Sequence, residues 1–363
     1  MTLKVKRNNG LDILKIVATI LIVFHHYQQI TGAIFESINF YNGKFYFGYM
    51  VELFFVISGY VMFPYIKKIY DGSINFKTFI AKRFLRLFPL VAAGAVGYEV
   101  LLYIYTCILH KNWFDINPTL WGMIIDCLMV QAGGSFINPC VNNPTWYISV
   151  LIICYICFFT LTRKAKKCKI NPYYLYIGMI FVGMAVNSYG FDLPFFNAST
   201  CRGYYAFFWG LILRKIMPTI KGYALKHEKI ILILEIIIII GIPIMIERES
   251  IWIQSGMNYI ITFVYYTVLI IVFDSNKINK LFKGNIIRTL SAISFDVYIW
   301  HNPGFIFLYI VFNIFNIDIM KLYSFKAMFI YTIVCFVVGA ISYYGFEKPI
   351  KNKIDSGMRG DRI

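Results

Sequence analysis

Two residues able to do chemistry stand eleven positions apart in LDILKIVATILIVFHHY (11–27), an otherwise apolar stretch: Lys15 and His26. On an α-helix eleven residues return to within about 20° of the starting face and rise about 16 Å. One stripe therefore carries an ammonium at one end and an imidazole at the other, with His25 turned about 80° aside. A cation suits a phosphate, and an imidazole suits removal of a proton from a hydroxyl. The bland alternative for either histidine is a hydrogen-bonded contact between helices.

Further along, KRFLRLFP (82–89) puts Arg83 and Arg86 three apart, hence on one helix face. Guanidinium forks match phosphate oxygens in pairs; the alternative is a topology anchor whose ends snorkel to lipid headgroups. Glu52, in YMVELFFVISGYVMF (49–63), falls at a depth similar to His26 and is a candidate orienter of its imidazole. An acid facing interfacial water is the competing reading. Ser58-Gly59 in that stretch would let two helices approach closely. Trp146 and Tyr147, in NNPTWYISV (142–150), read either as an interfacial aromatic belt or as a wall for a sugar or an acyl chain. SFDVYIWHNP (294–303) places Asp296 and His301 ahead of Pro303, which lacks an N–H and so frees a helix carbonyl. His301 is a candidate substrate-binding residue or a structural one.

The elements that carry these residues follow from composition. Of 363 residues 59% are apolar and 15% charged, against about 25% charged in soluble domains. The apolar residues form long blocks of helix-spanning length rather than the period-two alternation of a barrel. An all-α polytopic membrane protein is expected, with ten transmembrane helices near 12–30, 47–66, 84–108, 145–162, 172–187, 203–217, 229–246, 251–273, 291–315 and 327–346. With the N-terminus inside, 29 of the 35 Lys and Arg fall in inner loops and six outside. That asymmetry obeys the positive-inside rule and puts both termini in the cytoplasm. A weaker block, PTLWGMIIDCLMVQ (118–131), would invert every later loop if it crossed, so it is expected to be a re-entrant or interfacial helix on the outer face. A single domain is expected over 1–363.

The net charge of +17 is spread over short clusters between apolar blocks, so nucleic acid is not an expected partner. No paired CxxC motif marks a metal site, and none is expected. Cys140 and Cys201 both fall in loops assigned to the outside and could form a disulfide, but none is expected.

LDILKIVATILIVFHHY, ELFFVISGYVMF, FIAKRFLRLFP, TWYIS and SFDVYIWHNP resemble, in content and order, the acyltransferase-3 family of membrane acyltransferases, many of which modify bacterial surface glycans. The family's first helix carries an Arg, ten residues and a His; here Lys15 takes the Arg position and His26 the His position. Its Arg-x-x-Arg pair matches Arg83 and Arg86. After the Trp the family often carries an acid within the helix, and this chain has ISVLIICY instead. The chain runs about 17 residues beyond its last expected span, so no appended hydrolase-like domain is expected. The resemblance implies acyl transfer, most often acetyl, from acyl-CoA to a hydroxyl of a surface polysaccharide or lipid-linked glycan, in the bacterial plasma membrane. On that reading Lys15, Arg83 and Arg86 bind the nucleotide end of CoA. His26 is the general base with Glu52 and His25 beside it, and Trp146, Tyr147 and His301 contact the acceptor. A polysaccharide flippase or polymerase is the rival reading, and binding or hydrolysis of acyl-CoA discriminates the two.

Overall fold

The computed structural model describes residues 7–35, 39–41, 47–133, 142–227, 232–240 and 256–360. Among these the secondary structure is helical throughout, apart from a single isolated bridge. The helices begin and end where short polar side chains and glycine allow. Helix α1 (Asn9–Thr31) is capped by the Asn8 side chain, which accepts from the Leu11 N–H, and stops at Gly32 with φ 70°. Asn accepts well at a helix start, and glycine takes the left-handed exit without a Cβ clash. Helix α2 (Met50–Met62) runs into α3 (Pro64–Tyr70) through a bend of 52° at Pro64. Helix α4 (Phe76–Tyr103) is capped by Asn75. Then come α5 (Leu120–Cys127), α6 (Trp146–Lys167), α7 (Pro172–Tyr189) and α8 (Ala198–Lys226), the last opened by a capping box of Asn197 and Thr200. Four more are α9 (232–240), α10 (Met257–Phe273), α11 (Asn276–Leu281) and α12 (Asn285–Ile314). Helix α13 (Phe325–Ser342) runs through a widened turn, Tyr343–Glu347, into α14 (Lys348–Gly360).

Five helices among the described residues are long and apolar enough to cross a membrane: Asn9–Thr31, Phe76–Ile108, Asn143–Lys167, Asn285–Ile314 and Phe325–Ile354. The bent α2–α3 pair makes a sixth if it is one span. Helices also stand over the described parts of the other expected blocks. The block at 229–246 lies partly outside the described residues, and 251–255 and Cys140 lie wholly outside them; Cys201 is a buried free thiol. The weak block at 118–131 forms an eight-residue helix, α5, about 12 Å long and far short of a ~30 Å hydrocarbon core.

Two contacts set the frame of the site. Helices α2 and α8 touch backbone to backbone: a Cβ on Gly59 would lie 1.9 Å from the Phe207 carbonyl oxygen, and one on Gly210 would lie 2.1 Å from that of Val56. Small residues let helices meet this closely, as expected of Ser58-Gly59. Helix α1 lies along α12, and its N-terminal end is clamped where a Cβ on Gly10 would strike the Phe273 carbonyl.

Candidate active site

His26 points into the bundle. Its ring lies 5.1 Å from the His301 ring of α12 and 5.1 Å from that of His25. It is only half-buried, unlike His25 and His301, which are 4% and 0% exposed. His26 Nδ1 lies 2.7 Å from Gln29 Oε1. An amide oxygen only accepts, so Nδ1 carries the proton and Nε2 holds the lone pair. Gln29 therefore orients the imidazole from one turn away on the same helix.

His25 makes different contacts. Its Nδ1 donates to the Phe40 carbonyl at 3.0 Å, and its ring meets that of Tyr41 at 5.1 Å. It tethers the 39–41 segment to α1, together with Gln28, whose Oε1 accepts from the Phe40 N–H. The stripe geometry thus separates the pair: His26 faces α12, and His25 faces a connecting segment.

His301 stands two residues before Pro303. Proline inside α12 withholds a donor from the carbonyl four residues back, Ile299, and its ring crowds that carbonyl. Three groups hold the loosened turn. Asn142 Nδ2 donates to the Ile299 oxygen at 3.2 Å, Tyr331 Oη donates to the His301 oxygen at 2.5 Å, and Tyr298 Oη donates to the Pro144 oxygen. His301 Nδ1 donates to the Tyr298 carbonyl at 2.7 Å, which leaves Nε2 as an acceptor. That Nε2 is buried and has no partner among the described residues. Both Nε2 atoms therefore hold lone pairs, and neither can donate to the other.

The aromatic wall is continuous with these rings. Tyr147 lies 5.8 Å from Tyr298, which lies 5.8 Å from His301. Tyr147 Oη is 3.3 Å from Ser58 Oγ, and its ring packs at 4.6 Å against Phe55. Trp146 is half-buried, with the Arg202 guanidinium 4.9 Å from its ring. Tyr147 and His301, singled out separately in the sequence, belong to one cluster.

Glu52 lies in a buried ion pair. It is 1% exposed, and its two oxygens are held by Arg202, Nε to Oε1 at 2.6 Å and Nη2 to Oε2 at 2.7 Å. Tyr205 Oη adds a bond at 3.1 Å. The partner of His26 Nδ1 is Gln29. Arg202 was missed because it entered the reading only as an outer-loop charge. Its rarity there, one of six, was the available signal, since an outer arginine runs against the positive-inside bias.

At the other end of α1, Lys15 lies 3.5 Å from Asp12, which also accepts from Arg7 at 2.5 Å and Ser291 at 2.8 Å. Arg86 is exposed and within electrostatic reach of Lys15. Arg83 is not a matching second fork. It is 8% exposed, its guanidinium lying 3.8 Å from the centre of the Phe79 ring and 4.2 Å from that of Tyr65. It donates to the Phe79 carbonyl at 3.1 Å and reaches Met62 Sδ at 3.4 Å. Its guanidinium is buried among aromatic faces because α3 folds back over this turn at the Pro64 bend. Asp296 of α12 accepts from Ser342 Oγ at 2.7 Å. Among the described residues no group of three His, Cys, Asp or Glu stands close enough to hold a metal ion.

The profile of a family described as an acyltransferase domain, the acyltransferase-3 family, matches residues 8–345. The chain belongs to that family. It is also similar to proteins named "Putative O-acetyltransferase" in Staphylococcus aureus strains MSSA476 and MRSA252, at 25% identity over 349 residues, covering 82% of this chain and 50% of each relative. The strain COL protein of the same name matches at 25% over 343 residues, covering 80% and 50%. The chain thus spans about half the length of these curated relatives. No solved structure matches significantly.

Proposed function

We propose that this chain is a multi-pass O-acyltransferase of the bacterial plasma membrane, moving an acyl group from cytoplasmic acyl-CoA to a hydroxyl of an extracytoplasmic glycan. The observation that carries the reading is the half-open His26 imidazole set against the unpartnered Nε2 of His301, at one end of a helix whose other end holds Lys15 near Arg86. Family membership supports acyl transfer, and the relatives' names support acetyl as the group moved. Ten crossings with both termini cytoplasmic is the threading that keeps 29 of 35 basic residues inside.

In this reading the nucleotide phosphates of CoA dock at Lys15 and Arg86, and the pantetheine arm follows α1 outward. The arm is comparable in length to the ~16 Å rise to His26. The acceptor hydroxyl enters along the Trp146–Tyr147 wall. His26 Nε2 takes the hydroxyl proton as the oxygen attacks the thioester carbonyl. When the C–S bond breaks, the proton passes to the departing thiolate, so the step balances. Mass spectrometry of cell-surface glycan esters, with and without the protein, tests the reading; unchanged ester content in every glycan fraction would sink it.

The two arginines should separate in assay. Arg86→Ala is expected to raise the apparent KM for acyl-CoA by about tenfold or more, the loss of one charged hydrogen bond, with kcat little changed. Arg83→Ala is expected to act chiefly on thermal stability, by about 0.5–2 kcal/mol for the lost ring contacts. Equal effects of both on KM would return Arg83 to the donor site.

A further inference from the structure

Asn142 opens the segment that carries Trp146, has no exposed surface, and uses every polar group it owns. Its N–H donates to Asp126 Oδ2 at 2.7 Å, and its carbonyl accepts from Thr145 N at 2.9 Å and Thr145 Oγ1 at 2.7 Å. Its Nδ2 donates to the Ile299 carbonyl at 3.2 Å, and its Oδ1 accepts from Asn302 Nδ2 at 3.1 Å. Ile299 is the residue whose intrahelical donor Pro303 removes, and Asn302 adjoins His301. Room for the crossing comes from Gly94 of α4, where a Cβ would lie 2.3 Å from Ile299 Cγ2.

A carbonyl stripped of its donor inside a hydrocarbon-facing bundle must find another partner. We infer that Asn142 is a positioning residue: it gives Ile299 the hydrogen bond that Pro303 withholds, and so holds the kinked turn that sets His301 beside His26. The same side chain ties the Trp146–Tyr147 wall to that turn, so the acceptor wall and the histidine pair move as one unit. Asp126 and Gln131 brace it from the α5 side; Gln131 Nε2 donates to Thr145 Oγ1 at 2.8 Å. The catalytic half of this inference rests on the acyl-transfer reading, and the structural half does not.

The substitution Pro303→Ala restores an N–H that can reach the Ile299 carbonyl, so the two positions form a cycle. Wild type, Asn142→Ala, Pro303→Ala and the double variant are purified in detergent and compared for kcat, donor KM and thermal unfolding midpoint. With Pro303 present, Asn142→Ala is expected to lower kcat by about ten- to a hundredfold, the effect of one buried unmet acceptor, with donor KM within about twofold. In the Pro303→Ala background the same substitution is expected to lower kcat by less than about threefold, and to shift the midpoint less. Equal losses in both backgrounds overturn the inference, because Asn142 would then act on substrate or on folding at large. If wild type transfers no acyl group, the acyl-transfer reading fails and the midpoints alone decide the pairing. If Asn142→Ala does not accumulate in the membrane while Pro303→Ala does, recovery of the double variant supports the pairing and its loss overturns it.

Discussion

His26→Ala is expected to lower kcat/KM for acyl transfer by about 10²- to 10⁴-fold, the range of general-base assistance, while the protein stays in the membrane at normal levels. The reason lies in the surroundings of the ring. Gln29 holds the Nδ1 proton, so the lone pair is committed to Nε2, and the ring keeps an open edge. Removing it leaves His301 with an unmet nitrogen in a space that water can fill, so the fold should tolerate the change. His25→Ala is expected to cost less than about tenfold, below the range of a lost general base. Its ring holds the Phe40 carbonyl, and its loss loosens the 39–41 segment rather than the chemistry. A kinetic comparison of the two variants decides the matter: an active His26→Ala beside a dead His25→Ala would invert the assignment and break the link between Lys15 and the imidazole.

Arg202→Ala is expected to destabilise the protein by about 3–5 kcal/mol, because it strands the Glu52 carboxylate at 1% exposure with only Tyr205 as a donor among its known partners. Replacing both partners by leucine should recover most of that loss, since a buried ion pair gains little over well-packed apolar groups of similar size. Thermal unfolding in detergent of the single and double variants measures both quantities. A wild-type midpoint for Arg202→Ala would mean that Glu52 is not held as a buried ion. The effect on activity is then expected to track stability, because Glu52 is bonded to Arg202 and Tyr205 of α8.

How much of the site was legible in the sequence differs from residue to residue. Lys15 and His26 were readable as one stripe because both sit on a single helix, where 100° per residue converts spacing into direction. The same arithmetic set His25 apart, in accord with its tether to Phe40. Pro303 announced a freed carbonyl, but not that Asn142, 157 residues earlier in the chain, would satisfy it. Arg83 and Arg86 were expected on one face, yet one turn of helix separates an aromatic box from an open surface. Only the fold of α3 decides that.

Glu52 shows the limit most plainly. Depth along a helix is a one-dimensional quantity, and two groups at equal depth on different helices need not meet. The sequence by itself determined which segments are helical and which faces carry polar groups, because these follow from local periodicity; of the ten crossings expected, five helices among the described residues, or six with the bent pair, are long and apolar enough to span. Tertiary structure alone decided which polar group answers which: Arg202 to Glu52 across 150 residues, Tyr27 to the Leu322 carbonyl across 295. Partner choice depends on helix rotation and crossing, and those are set by side-chain packing over the whole bundle rather than by any one segment.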